Sequence, residues 1–179
     1  MPLALQKPLS EEELAAGLVL TDAMLFRLYF FADELTEPPS LQQRLMFCDK
    51  SPRILNCTAR KTGKSVDLQA TVLEDIILNE KSTGGIDEGL FVTPGDIHMQ
   101  QFTDRLFSQI SKNAIFRQLI RIRRGDNLML ESENLRYYMR VEGMSGSDRN
   151  MVGIRAKYVR GDEMAFGNWN SHTSRIQTA

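Results

Sequence analysis

The sequence predicts an α+β fold, with a helical N-terminal region and one central helix packed on a mainly antiparallel β-meander or partly open barrel. Three observations carry this expectation. Apolar residues recur at helical spacing through residues 1–50 and again from Met99 to Ile110. Between and after those stretches they alternate with polar residues at the two-residue period of a strand. The chain has 179 residues, 42% of them hydrophobic and 25% charged, which suits one domain with a buried core and argues against disorder. The expected organisation is an acidic, mostly helical region over 1–50, a β-rich core over 51–169 with a helix at about 94–112, and a flexible tail over 170–179.

Taken in order, Ser10-Glu11-Glu12-Glu13 fits a capping box, in which a serine hydroxyl and a glutamate three residues on satisfy each other's backbone N–H groups. Leu14, Leu18, Leu25, Leu28, Tyr29 and Leu35 form a helical stripe. Gly17 and Thr21-Asp22 divide it into two helices, the second capped by Thr21 or Asp22. Pro38-Pro39 stops the run, and Ser40 caps a short helix over Leu41 to Phe47. Leu55, Cys57 and Ala59 then alternate, as do Val66, Leu68, Ala70 and Val72, so a β-hairpin with its tip at Lys61-Thr62-Gly63 is expected. Asn79 to Gly89 reads as a loop. Thr93-Pro94-Gly95-Asp96 opens the central helix, with Thr93 as its cap and Met99, Phe102, Leu106 and Ile110 on one face.

Strands are expected from Phe116 onward. A three-residue link, Gly125-Asp126-Asn127, would place Ile122 opposite Leu130 and Arg121 opposite Glu131, sorting apolar from charged pairs. Leu135, Tyr137, Met139 and Val141 would then face inward, as would Val152, Ile154, Ala156 and Tyr158. A last short strand over Met164 to Gly167 would follow the turn at Arg160 to Glu163.

Few motifs carry chemistry. Cys48 and Cys57 make no disulfide framework, and neither Cys-x-x-Cys nor His-x-x-x-His occurs, so no metal site is expected. No apolar run approaches the roughly 20 residues of a membrane-spanning helix, and residues 1–10 lack a signal-like apolar core, which predicts a cytoplasmic protein without membrane insertion. Gly63-Lys64-Ser65 matches the end of a phosphate-binding P-loop, but the glycine required five residues before Gly63 is Thr58. Its flanks also read as a hairpin rather than strand-to-helix, so the sequence reading rejects a P-loop. No Gly-x-Ser-x-Gly elbow is present. An enzyme is not expected, nor a cofactor. Arg136-x-x-x-Arg140 has the form that opens cyclic-dinucleotide-binding PilZ barrels, but Ser147 to Gly153 lacks the downstream Asp/Asn-x-Ser-x-x-Gly element, so no membership follows.

Charge is unevenly distributed. The net charge of −1 conceals a net of +6 over residues 112–160, with nine arginines and two lysines. In the expected strand phases Arg117, Arg121, Arg123, Arg136, Tyr138, Arg140, Arg155 and Lys157 project from the polar side of the sheet. Arginine suits bidentate contact with phosphate, and an interleaved tyrosine can stack on a base. The expectation is a non-catalytic binding module for nucleic acid or another phosphate-rich ligand, with Arg60, Lys61 and Lys64 at the hairpin tip as a second contact. Two readings compete with it. Glu131, Glu133 and Glu142 offer structural partners for the same arginines. Alternatively, the chain is a structural or assembly subunit that buries this face in a protein–protein or homo-oligomeric interface. Nine methionines and the aromatics Phe30, Phe31 and Trp169, expected to be exposed, favour that alternative.

Overall fold

In the computed structural model the described residues are Gly17, 22–31, 40–48, 63–80, 82–124, 128–141 and 156–162. In chain order they form α1 (Ala23–Phe30), α2 (Leu41–Cys48), α3 (Lys64–Leu78), β1 (Asp87–Thr93), α4 (Asp96–Lys112), α5 (Ala114–Leu119), β2 (Arg121–Arg123), β3 (Met129–Glu131), β4 (Leu135–Val141) and β5 (Ala156–Gly161). The Ser10 capping box, residues 55–62, the expected strand over Met164 to Gly167, Trp169 and the tail lie outside the described residues.

The strands make one sheet in the order β2-β3-β4-β1-β5. β1 runs parallel to both β4 and β5, whereas β3 is antiparallel to β2 and β4. The α+β class therefore holds, but the sheet is mixed and open rather than an antiparallel meander or a partly open barrel. Parallel neighbours need a crossover connection, and α4 and α5 supply helical length between β1 and the β2–β3–β4 run. β1 escaped the sequence reading because a parallel strand buried on both faces shows no alternation. Its Leu90, Phe91 and Val92 are 2%, 0% and 2% exposed.

Several caps follow the sequence. Asp22 Oδ1 accepts from the Met24 and Leu25 N–H groups at the start of α1. Ser40 and Gln43 satisfy each other's backbone N–H groups at the start of α2. At α4 the cap is Gly95, and Thr93 instead ends β1 with its hydroxyl donating to the Gly95 carbonyl. Asn113 caps α5, which carries Phe116 and Arg117 as helix rather than strand. The expected second hairpin strand, Val66 to Val72, is instead the first half of α3.

The main core lies between the helices and one sheet face. It joins Phe26 and Phe30 of α1, Leu73 and Ile76 of α3, Leu106 and Ile110 of α4 and Phe116 of α5 to Phe91, Leu135, Tyr137 and Met139 of the sheet. Phe30 and Phe31 belong to this core and are not exposed. On the other face Leu90, Val92 and Ala156 form a smaller cluster with Tyr138 and Val159 packed against it. Gly89 is required by close approach: a Cβ there would lie 2.6 Å from the ring of Tyr137 on the neighbouring strand.

Two buried ion networks hold α3 in place. Arg27 of α1 donates to Asp67 at 2.6 Å, Glu74 at 3.0 Å and Thr71 at 2.8 Å, all on α3. Arg160 of β5 grips Asp75 of α3 with two bonds of 3.0 Å, and the Tyr137 hydroxyl donates to the same carboxylate at 3.3 Å. Burial pushes the Asp75 carboxyl above its ordinary range, against the opposing pull of Arg160 and Tyr137. For Arg160 burial alone would lower the pKa, but Asp75 outweighs it and raises it.

The β2–β3 pairing matches the expected register, Arg121 opposite Glu131 and Ile122 opposite Leu130. On β5 the pattern slips. A bulge between Glu88 and Gly89 of β1 pairs Glu88 with Ala156 and Gly89 with Tyr158, so Ala156 and Tyr158 do not share a face as expected.

Candidate functional site

The arginines predicted to share one surface are distributed over several settings. Arg121, Glu131, Arg136 and Glu88 stand in one register row across β2, β3, β4 and β1, alternating in sign. Glu131 bonds Arg136 at 2.9 Å and lies 2.6 Å from Arg123. The Arg136 hydrogen bond holds the Glu131 carboxyl below its ordinary range, and Glu131 in return raises Arg136. The Tyr138 hydroxyl donates to Glu88 at 3.3 Å, and burial raises its phenol pKa. Arg140 is buried to 8% exposure beside the Tyr138 ring, and burial lowers its pKa. Lys157 sits across the sheet from β2, on β5, where it bonds Asp87 at 2.9 Å and Asn79 at 2.7 Å. Four strand spacings of about 4.8 Å put β2 and β5 roughly 19 Å apart. Arg117 lies on α5 and is exposed, and Arg155 lies outside the described residues, as do Arg60 and Lys61.

Lys64, the remaining basic residue of the expected hairpin tip, is the first residue of α3. It sits at a different kind of site. Gly63 caps α3 with φ +86°, a left-handed conformation that glycine adopts without strain, and the cap residue itself makes no side-chain bond to the first turn. The first N–H groups of an α-helix lack intrahelical acceptors and point along the positive end of its dipole, which favours an anion there. The one acid in this turn, Asp67, is neutralised by Arg27 rather than turned toward the helix end.

Facing the first turn of α3 is the C-terminal end of β5. The Asp162 N–H donates to the Val92 carbonyl at 3.1 Å, which extends the β1–β5 pairing by one residue. The Ser65 hydroxyl then donates to Asp162 Oδ2 at 3.4 Å. That length is well beyond the usual 2.7–2.8 Å of an O–H···O bond, so the contact is weak and easily exchanged for a ligand. Ligands of parallel α/β sheets bind beyond the carboxyl ends of the strands, and the site lies there.

Between α3 and α4, beside this pair, is a polar recess of about 80 Å³ lined by Ser65, Gln69, His98, Gln101, Phe102, Arg105 and Asp162. Gln69 is fully buried, and neither its amide nitrogen nor its amide oxygen has a hydrogen-bond partner among the described residues. An unmet buried amide costs about 1–3 kcal/mol, so a native structure that keeps one normally gives it a water, an ion or a ligand.

Ser65, Gln69 and Asp162 were absent from the sequence-derived site. The signals were present: Gly63-Lys64-Ser65 at the start of a helical stretch, and a strand over Ala156 to Gly161 followed by Asp162. Both were lost once α3 was read as a strand. Among the described residues no helix is long and apolar enough to cross a membrane, and no group of three or more His, Cys, Asp or Glu residues is placed to hold a metal ion. No protein-family model matches the chain, and no curated protein or solved structure matches it either.

Proposed function

We propose that the chain binds the phosphates of a magnesium-chelated nucleoside triphosphate at the N-terminus of α3, and that Asp162 with Glu163 equips it for hydrolysis. The observation that carries this reading is the Ser65 hydroxyl set against Asp162, directly after Gly63-Lys64 at a helix start. In P-loop proteins the backbone N–H groups of such a loop cradle phosphates, the lysine reaches the β- and γ-phosphates, and the Ser/Thr hydroxyl and a strand-end Asp serve magnesium. Magnesium is typically held by one or two carboxylates plus phosphate oxygens and retained waters, a donor set that one hydroxyl and one carboxylate begin. When bound, the ion would offset the charge of the phosphates. The unmet Gln69 amide lies in the same recess and supports a ligand there. Of the two grounds for rejecting a P-loop, the hairpin flank gives way to a 15-residue helix. The other remains, since Thr58 stands where the signature has its first glycine. Glu163, next to Asp162 in sequence and outside the described residues, is the carboxylate this reading assigns to accept a proton from an attacking water.

The test is a titration of a fluorescent ATP analogue with magnesium and with EDTA, followed by phosphate release. Saturable binding that EDTA abolishes, and that Asp162→Ala weakens about tenfold or more, is the expected result. No binding at about 1 mM nucleotide would end this reading.

A second reading keeps the arginines as a nucleic-acid surface, reduced to the α5–β2 edge. It rests on Arg117 and Arg121, which are exposed and make no ion pair among the described residues. Affinity for single-stranded DNA that falls steeply with salt, and falls further in a double Arg117→Ala, Arg121→Ala variant, is expected. Salt-independent or absent binding would sink it.

A further inference from the structure

We propose that the α4 wall of the recess reads the terminal phosphate, with Arg105 as its main contact and Gln69 beneath it, so that affinity separates tri- from diphosphate. The inference rests on the nucleotide-binding reading and assigns residues that the P-loop signature does not contain.

Size is the first argument. A recess of about 80 Å³ has the volume of two to three waters at about 30 Å³ each, far below the roughly 300 Å³ at which small-molecule pockets begin. It has room for one phosphate-sized group.

Position is the second. Ser65 and Gln69 are four residues apart on α3, so the recess runs along that helix away from the Gly63 turn and toward α4. A phosphate chain laid on the first turn would enter it by its end.

Charge is the third. Gln101 and Arg105 stand four residues apart on α4 and line the recess together, opposite Asp162. Arg105 makes no ion pair among the described residues. A guanidinium there meets the oxygens that only the triphosphate carries. Gln69 lines the same recess, and both polar atoms of its amide are buried and without a hydrogen-bond partner among the described residues.

Calorimetric Kd values for ATP and ADP with magnesium test the proposal on wild type, Arg105→Ala, Arg105→Lys and Gln69→Leu. Wild type is expected to bind ATP about tenfold or more tighter than ADP. Arg105→Ala should weaken ATP about 10- to 100-fold while leaving ADP within about twofold, and Arg105→Lys should recover part of the loss. Arg105 is exposed, so its variants are expected to fold. Gln69→Leu should raise the melting temperature, because it removes an unmet amide, and still lower the ATP-to-ADP preference. If wild type binds neither nucleotide, the nucleotide reading itself fails. If wild type binds ATP but its preference over ADP is absent, or unchanged in Arg105→Ala and Gln69→Leu, the α4 assignment fails alone.

Discussion

Arg160→Met is expected to cost about 3 kcal/mol of folding stability near neutral pH, the low end for breaking a buried ion pair because the Arg160 side chain is 27% exposed. The loss is mostly the stranding of Asp75, whose side chain is 10% exposed and would keep only the Tyr137 hydroxyl as a partner. The pH dependence follows from the direction of the Asp75 shift. Burial already raises its folded pKa above 3.8, and Arg160 is the largest opposing influence. Removing Arg160 raises it further. A carboxyl raised on folding favours the protonated native state, so its contribution is fully present below the unfolded value and lost as pH rises through the folded one. The stability deficit of Arg160→Met should therefore shrink on acidification from pH 7 toward the raised folded pKa of Asp75. Urea denaturation of both proteins across that range measures it. A deficit that stays constant or grows with acidification would show that the stranded Asp75 charge is not its source. A double variant, Arg160→Met with Asp75→Leu, should recover much of the loss, since an apolar pair in place of a buried ion pair is often neutral or better.

Lys64→Ala is expected to weaken ATP binding about 10- to 100-fold with little change in stability. One charge-assisted hydrogen bond to phosphate contributes about 1.5–3 kcal/mol, which sets the range. Lys64 opens α3 at intermediate exposure, and alanine is the best helix former to replace it. Equilibrium titration with the fluorescent analogue, alongside a thermal melt, separates the two effects. Unchanged affinity in a folded Lys64→Ala protein would count against the phosphate cradle at this helix.

What the sequence disclosed depended on how each segment is buried. β2, β3 and β4 bury one side, so their period was visible, and the Arg121–Glu131 register could be derived from charge sorting and link length. α4 likewise carries one apolar stripe and was placed to within two residues at its start. α3 is different. Asp67, Gln69 and Glu74 are buried beside Ala70, Val72 and Leu73, so the helix is wrapped on several sides and its polar residues interrupt the 3.6-residue stripe. Val66, Leu68, Ala70 and Val72 then alternate as a strand would. That misreading removed the helix that a Gly-Lys-Ser turn needs, and with it the site. The pairing of Ser65 with Asp162 was invisible for another reason: 97 residues separate them, and only a parallel β1–β5 pairing brings the second to the first. The paired fate of several arginines was within reach, since Glu131 was already named as a partner.

The bulge opposite Glu88 and Gly89 acts as a phase setter for everything downstream on β5. Alternation along a strand has no slack, so a single inserted residue decides which way each later side chain turns. With Lys157 as that extra residue, Ala156 joins the Leu90 and Val92 side while Arg160 meets Asp75 beneath the helices. Were Lys157 instead to take a regular paired place, Arg160 would point to the opposite surface, away from Asp75, and Asp162 would arrive one residue out of step with Ser65. A chain shortened by that one lysine would pair Ala156 and Tyr158 in plain alternation and keep the alignment between its strand and its helix.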